Sequence, residues 1–445
     1  MLKGFRQIYL TNRFFWVFGG LILCFVLGFP IPVLFPIAQG LGVLLLALIF
    51  LELFLLFGRN IDFRCERQVP KLLNLADQNT VRLLIENQSN TDWRVKVLDE
   101  LPIQFQVRDF EEAVLLPAGA EKTLRYDLRP VKRGAYYFGK LHLFIRSALG
   151  LLERRLSYLE EPMEVPVYPS IQQMKNMELL ALNRISTRQG IKHIRRIGHS
   201  YEFEQIKNYV RGDDYRSVNW KASSRRHHLM VNQYQDERSQ QVYCVIDKSR
   251  VMRMPFHELS LIDYAINASL VISNIALQKY DKAGLITFSD KLGSTIKADS
   301  KATQLNKILH ALYKEKERSL EANYDLLYYA SRKLISGRSL LLLFTNFESN
   351  YALERALPVL RRMNRMHLLV VIFFENTEIR DFAQQKANSL EDIYHQTIAE
   401  KFLSEKAQMV HKLRQYGIQS ILTPPEDLSV NTVNKYLELK SRGLI

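Results

Sequence analysis

Between Phe14 and Phe57 the chain runs for 44 residues whose only ionisable side chains are Cys24 and Glu52. At about 1.5 Å of rise per residue this is roughly 66 Å of helix, enough for two crossings of an apolar layer about 30 Å thick. Pro30, Pro32 and Pro36 interrupt the run near its middle, and a proline inside a helix removes a hydrogen bond and clashes with the preceding turn. The run therefore predicts a helical hairpin of two transmembrane helices with a very short turn. Lys3, Arg6 and Arg13 precede it and Arg59, Arg64 and Arg67 follow it, a bias that places both termini and the soluble bulk in the cytoplasm. Phe14 to Phe29 alone is short for a span, so the first helix must run past Pro30, tilt or stop short. A cleaved leader is the competing reading, but no small-x-small pattern follows Phe29 and the second span would still anchor the product. Glu52 lies about two turns from Arg59 and is expected to reach toward the interface rather than to relay protons.

The net charge is +15, and it is unevenly spread. From Arg184 to Tyr234 there are eleven Lys and Arg against four Asp and Glu, a net of +7 in about a ninth of the length. Tyr209, Tyr215, Trp220 and Tyr234 are interleaved with these charges. Such a surface suits an acidic partner, and three readings follow from it. Arg195, Arg196, Lys221, Arg225 and Arg226 can face an acidic protein with Trp220 as an aromatic anchor. Cations among aromatics also grip single-stranded nucleic acid, although a membrane anchor makes that the weaker reading. A basic face can equally lie on anionic lipids. Gly212-Asp213-Asp214 supplies a turn whose carboxylates accept bonds from nearby N–H groups or pair with Arg211 and Arg216. In the structural alternative Trp220, Asp213, Asp214 and Arg216 knit the segment onto its neighbours through buried ion pairs.

Hydrophobic residues make up 47% and charged residues 24% of the chain, which argues against disorder and allows two or three domains. The three cysteines, Cys24, Cys65 and Cys244, are too scattered for a disulfide framework. From Ile61 to about Ser170 short alternating runs such as TVRLLIEN, WRVKVLDEL, KTLRYDL and KLHLFIRS predict an antiparallel, all-β immunoglobulin-like sandwich. After the basic stretch, aliphatic runs such as QVYCVID, KAGLITFS, SLLLLFTNF and HLLVVIFFE alternate with helical patterns, the longest over roughly Ser389 to Arg414. This alternation predicts an α/β domain with a doubly wound, mostly parallel sheet covered on both faces. The expected organisation is a membrane anchor over 1–60, a sandwich over 61–170, a basic segment over 171–237 and the α/β domain over 238–445.

Gly212, Asp213, Asp214, Arg216, Trp220, Lys221 and Arg225 stand at the spacing Gly-Asp-Asp-x-Arg-x-x-x-Trp-Lys-x-x-x-Arg, which resembles the signature of the domain of unknown function 58 family. LDELP at Leu98 to Pro102, and KRGAYYFG through SALGLLERR from Lys132 to Arg155, look like the same family. The resemblance implies that the α/β domain is von Willebrand factor A-like. It also implies partners: a MoxR-type AAA+ ATPase and other von Willebrand A-like membrane proteins, at the bacterial inner (plasma) membrane. Von Willebrand A-like domains that bind metal place Asp-x-Ser-x-Ser after the first strand, because a hard divalent cation such as Mg²⁺ takes an octahedron of oxygens. Asp247 and Ser249 match that pattern, Val251 offers no oxygen, and Asn346 stands where a ligand Asp is expected. Lys248 and Arg250 add positive charge beside the pocket, so a degenerate site and no cofactor are expected.

No GxxxxGK[ST] cradle, GxGxxG turn, Gly-x-Ser-x-Gly elbow or His-Glu-x-x-His helix occurs in the sequence, so the recognised frames for nucleotide and hydrolase chemistry are missing. The expectation is a membrane-anchored, cytoplasm-facing, non-enzymatic adaptor or assembly factor for cell-envelope protein maturation. Two alternatives stay open: a protein binding nucleic acid or anionic lipid, and a hydrolase or transferase using Asp213 and Asp214.

Overall fold

The computed structural model describes residues 7–31, 33–58, 61–107, 110–159, 161–171, 174–175, 197–211, 213–226, 228–235, 239–385 and 389–444, with 197–205 and 233–235 as backbone only. The chain divides into two compact units, Met1–Tyr168 and Pro169–Ile445.

In the first unit a short strand, β1 (Ile8–Leu10), leads into helix α1 (Asn12–Gly28), and helix α2 (Leu34–Phe57) follows. Thr11 caps α1 by accepting from Phe14 N–H, and the helix stops where Phe29-Pro30 begins. At the turn a Cβ on Gly28 would lie 3.2 Å from the Phe35 backbone, so the hairpin closes on a residue without a side chain. By length and composition α2 is able to cross a membrane, with 24 residues and a mean hydropathy of 2.7. Its Phe50 and Phe54 are exposed, as are Trp16 and Phe29 from the first half of the hairpin. Helix α1 is apolar and shorter, at 17 residues.

Ten further strands complete the unit: β2 (Phe63–Gln68), β3 (Leu73–Asn74), β4 (Asn79–Asn87), β5 (Trp93–Asp99), β6 (Glu111–Leu116), β7 (Glu121–Leu128), β8 (Gly134–Phe138), β9 (Leu141–Arg146), β10 (Leu152–Tyr158) and β11 (Met163–Tyr168). They form sheets of order β1-β10-β9-β5-β6, β2-β4-β7 and β3-β11-β8. Burial alternates along β4 and β7, the period-two signature of sheets with one face turned to a core. Arg67 on β2 donates to Asp99 at the end of β5 and to Gly139 O, while Tyr126 on β7 donates to the same carboxylate. Asp99 and Arg67 are both buried, and each is satisfied by the other. The LDELP and YYFG motifs thus carry structure. Glu100 accepts from Lys140 N–H at 2.9 Å, and a Cβ on Gly139 would strike its carboxylate.

Glu52 does not reach for an interface. It is fully buried and accepts hydrogen bonds from the Ser147 hydroxyl and from the N–H groups of Gly150 (3.0 Å), Leu151 (3.1 Å) and Leu152 (3.0 Å). The SALGLL motif is the loop that wraps this carboxylate. Thr11 donates to Gly150 O (2.7 Å), Arg154 donates to Leu56 O (2.8 Å), and β1 adds to the sheet edge beside β10. The hairpin and the sandwich are therefore one body.

The second unit begins with a two-stranded ribbon, β12 (Ile197–Asn208) and β13 (Met230–Gln235), with the short helix α3 (Trp220–Arg226) between them. Next come β14 (Gln241–Asp247), a small hairpin of β15 (Pro255–Phe256) and β16 (Leu259–Ser260), α4 (Leu261–Gln278), β17 (Lys282–Phe288), β18 (Leu292–Asp299), α5 (Gln304–Lys314), α6 (Tyr324–Leu334), β19 (Leu340–Phe344), α7 (Asn350–Met366), β20 (Leu368–Phe374), α8 (Thr377–Ala383), α9 (Leu390–Gln415), β21 (Gln419–Thr423) and α10 (Leu428–Ser441). The sheet order is β18-β17-β14-β19-β20-β21, all parallel except the edge strand β18. Val242, Cys244 and Ile246 pack with α4, α5 and α10, whereas Tyr243 and Val245 pack with α6, α7 and α9. Both faces of β14 are covered, which is why its sequence is almost continuously apolar. Helix α4, with 18 residues and a mean hydropathy of 1.2, is also long and apolar enough to cross a membrane, but 83% of it is buried, as a core helix. The parallel strands and long helices follow the sequence expectation. The antiparallel edge β18 and the helix α8 do not appear in it, because LGSTIKAD and TEIRDFA are short and mixed in polarity.

If the Glu52 cradle fastens hairpin to sandwich, Glu52→Ala in the detergent-purified chain strands four donors. It should lower stability by about 3 kcal/mol or more and speed proteolysis of the 147–152 loop. Glu52→Gln, which keeps one acceptor oxygen, should cost less in the same melting experiment.

Candidate functional site

The ribbon β12–β13 carries the basic signature on a frame of local hydrogen bonds. Asp213 closes the turn after β12 by accepting from Val210 N–H (3.0 Å) and Lys207 Nζ (2.9 Å). Those bonds hold the Asp213 carboxyl below its ordinary range, the wrong direction for a proton acceptor near neutral pH. Asp214 accepts from Arg216 N–H (3.0 Å) and caps the single turn Tyr215–Ser217. Asn219 then starts α3: its side chain accepts from Ala222 N–H (3.0 Å) and donates to Asn232 on β13 (2.8 Å). Ser223 closes the far side by accepting from Met230 N–H at 2.8 Å. Arg225 and Arg226 fall in the last turn, where the helix dipole favours positive charge.

This frame turns its large side chains outward. Trp220 is 73% exposed and Tyr215 71% exposed, with Val210 and Leu229 exposed beside them. The expectation that Trp220, Asp214 and Arg216 are knit into buried ion pairs does not hold. Asp213 pairs with Lys207, Asp214 bonds backbone, and Arg216 lies over the Tyr215 ring at 5.7 Å. Asn219 and Ser223, which sequence reasoning passed over, do the knitting. Their Asn-x-x-x-Ser spacing at a helix start was the available signal. Between α3 and the ribbon strands lies a cleft of about 300 Å³ lined by Ile206, Asn219, Lys221, Ala222, Arg225, Arg226 and Met230, but not by Trp220. An apolar floor with a cationic rim is thus presented by three of the five cations named from sequence. Arg195, Arg196 and Gly212 lie outside the described residues.

The second place to look is the switch point of the sheet, between β14 and β19, where ligands of open α/β sheets sit beyond the strand ends. Asp247 is fully buried there. One carboxylate oxygen accepts from Ser249 N–H (2.8 Å) and the other from the Thr345 hydroxyl (2.7 Å). Tyr324 contacts that hydroxyl at 2.9 Å, and its ring lies among Phe288 and Phe347. Burial holds the Asp247 carboxyl above its ordinary range, against the bonds from Thr345 and Ser249. Asn346 accepts from Lys406 Nζ (2.8 Å), which also donates to Phe347 O (2.6 Å). Burial pushes the Lys406 ammonium down to about 8, with Glu348 opposing.

A divalent cation finds few ligands in this arrangement. Each Asp247 oxygen already accepts one hydrogen bond, an ammonium occupies Asn346, and among the described residues no three His, Cys, Asp or Glu side chains converge, although Ser249 Oγ is buried there without a partner. The two cations expected to oppose a metal point elsewhere. Lys248 turns to Glu315 (2.6 Å) and Arg250 to Glu348 (3.3 Å), so neither is a free charge over the pocket.

The comparisons with known proteins bear on the basic ribbon and the sheet together. Residues 205–381 match the family model described as "Protein of unknown function DUF58". The match contains the signature from Gly212 to Arg225, so the family reading holds for that segment. "Uncharacterized protein YeaD" of Bacillus subtilis (strain 168) is 27% identical over 128 residues, 28% of this chain. The alignment spans 31% of that relative's length. Among solved structures, the CARDB domain of the PF1109 protein from Pyrococcus furiosus is similar over 24% of this chain and 93% of its own, at 15% identity and a TM-score of 0.18. Proximal thread matrix protein 1 from the mussel byssus is similar over 45% of each chain, at 12% identity and a TM-score of 0.26.

Two outcomes test this geometry. Trp220→Ala should change stability by no more than about 0.5 kcal/mol, whereas Asn219→Ala, which loses a cap and a cross-strand bond, should cost about 1–2 kcal/mol in thermal melts. Lys406 binds its proton less tightly folded than unfolded, so between its folded value of about 8 and the ordinary 10.5 the unfolded chain holds more protons and stability rises with pH. The wild-type protein should gain on Lys406→Met by up to about 3 kcal/mol across that window, with the difference flat below pH 8.

Proposed function

We propose that this chain is a membrane-anchored, cytoplasm-facing adaptor or assembly factor that docks an acidic partner protein on its basic ribbon. The observation that carries the reading is the outward display of Trp220 and Tyr215 on the same segment as a cleft edged by Lys221, Arg225 and Arg226. Aromatic and arginine side chains with an apolar floor are the composition of interface hot spots. Their frame of caps and cross-strand bonds holds them in place before any partner arrives, which lowers the entropic cost of binding.

The apolar hairpin supports anchoring at the bacterial inner membrane, with the soluble parts cytoplasmic by the distribution of Lys and Arg. A von Willebrand A-like reading of the second unit is supported by its strand order, its antiparallel edge β18 and the position of Asp247 at the end of β14. In this reading the domain is a metal-free, non-enzymatic scaffold. The partner is a MoxR-type AAA+ ATPase, or another von Willebrand A-like membrane protein, acting in cell-envelope protein maturation.

Affinity purification of the full chain from detergent-solubilised membranes tests the proposal. The wild-type protein should enrich an acidic-faced AAA+ ATPase, and Arg225→Glu with Arg226→Glu should reduce its recovery about tenfold or more while the melting temperature stays unchanged. Enrichment of nucleic acid or of anionic lipid in its place, lost in the same variant, would replace the adaptor reading.

A further inference from the structure

The first half of α9, with α8 beside it, carries a run of exposed apolar side chains among the described residues of the second unit and is called the projection. Leu390, Ile393, Tyr394, Ile398 and Phe402 are exposed along its first turns, with Phe382 of α8 beside them, and Leu390 is 87% exposed. Their spacing of three and four residues puts them on one face, a stripe of roughly 18 Å. The same helix is anchored at its other end, where Met409 and Leu413 are buried in the core. In the first half Ala399 is buried and α8 packs alongside, but Leu390, Ile393, Tyr394 and Phe402 stay exposed, so packing within the chain does not use them.

The charge around the stripe identifies its occupant. Over residues 375–402 there are six acids (Glu375, Glu378, Asp381, Glu391, Asp392, Glu400) against three bases (Arg380, Lys386, Lys401), a net of −3 in a chain of +15. Such a flank repels an anionic lipid surface, and pairing two copies of the stripe would set −3 against −3. The basic ribbon has the opposite character. Residues 206–230 hold six bases (Lys207, Arg211, Arg216, Lys221, Arg225, Arg226) against Asp213 and Asp214, a net of +4, with Trp220, Tyr215 and Val210 exposed among them. Within one chain both surfaces are exposed at once, so neither covers the other.

We infer that the α8–α9 projection of one copy docks on the basic ribbon of a second copy, placing Leu390 and Tyr394 against Trp220 and the cleft edged by Arg225 and Arg226. The inference rests on the docking reading of the ribbon and names a second copy as an acidic partner for it. Because the two surfaces are different, the contact is head-to-tail: each added copy leaves one projection and one ribbon free, and association propagates. In a bilayer such a contact would gather anchored copies into arrays.

Light scattering on size-separated full-length protein in detergent tests it. The wild-type protein should form concentration-dependent assemblies at low salt that shrink as salt is raised. A ribbon variant, Arg225→Glu with Arg226→Glu, and a projection variant, Leu390→Asp with Tyr394→Asp, should each melt like the wild type and each remain monomeric, the apparent Kd rising at least about tenfold. Mixed in equal amounts, the two variants should form a dimer and nothing larger, since only one intact pair of surfaces remains. A wild-type protein that stays monomeric at low salt, a ribbon variant that still assembles, or a mixture that stays monomeric would each overturn the inference. If self-association is absent while the ribbon variant still loses its captured membrane partner, the docking reading stands and only the second copy is wrong. If the ribbon variant loses neither, both fail.

Discussion

A carboxylate buried in an apolar helix is costly unless its lone pairs are filled, and Glu52 fills them from one loop. Four donors of the SALGLL segment converge on it, and that loop lies between two strands of the sandwich sheet, β9 and β10. Neither partner is satisfiable alone. Without Glu52 the loop would hold three N–H groups and a hydroxyl away from water, and without the loop the helix would hold a bare charge. The Thr11 bond, the Arg154 bond to Leu56 O and the added strand β1 surround this contact. Arg67, Asp99 and Tyr126 apply the same rule a second time, joining β2, β5 and β7 through a buried carboxylate whose partners are on the facing strands. The motifs LDELP, YYFG and SALGLL, which carry the family resemblance in this part of the sequence, are the polar fittings of this unit.

In the second unit the polar groups at the switch point also serve each other. Asp247 takes Thr345 and the Ser249 amide, Tyr324 seals that pair under an aromatic layer, and Lys406 occupies Asn346. A cation entering there would have to displace a hydroxyl and an ammonium and open the packing of Phe288, Tyr324 and Phe347.

Much of this architecture was legible because it follows from periodicity. The alternation in TVRLLIEN and the unbroken apolar run of QVYCVID each admit one kind of strand, and both formed it. The hairpin followed from a long uncharged run with prolines in its middle. What could not be read was which polar residue meets which. Glu52 lies about a hundred residues from the loop that binds it, and Lys406 sixty from Asn346. Such pairings depend on tertiary approach, which a single sequence does not encode locally. Trp220 illustrates the opposite difficulty. A tryptophan among Asp and Arg reads equally as a buried anchor or an exposed one, and only the caps by Asn219 and Ser223, which satisfy the segment without it, leave it outside.

A protein surface is expected to carry scattered apolar side chains, but aromatic residues clustered at above 70% exposure on a hydrogen-bonded frame are not scattered. On the basic ribbon the local bonds hold Trp220 and Tyr215 outward at no benefit to the folded chain itself. The projecting turns of α9 do the same for Leu390 and Tyr394, and the surrounding charges have opposite sign. At the switch point Asp247, Thr345 and Asn346 have partners while Ser249 Oγ is buried without one, whereas the basic ribbon displays Trp220 and Tyr215 to solvent. The physical feature the two surfaces share is exposed apolar side chains among charges, of opposite sign on the two.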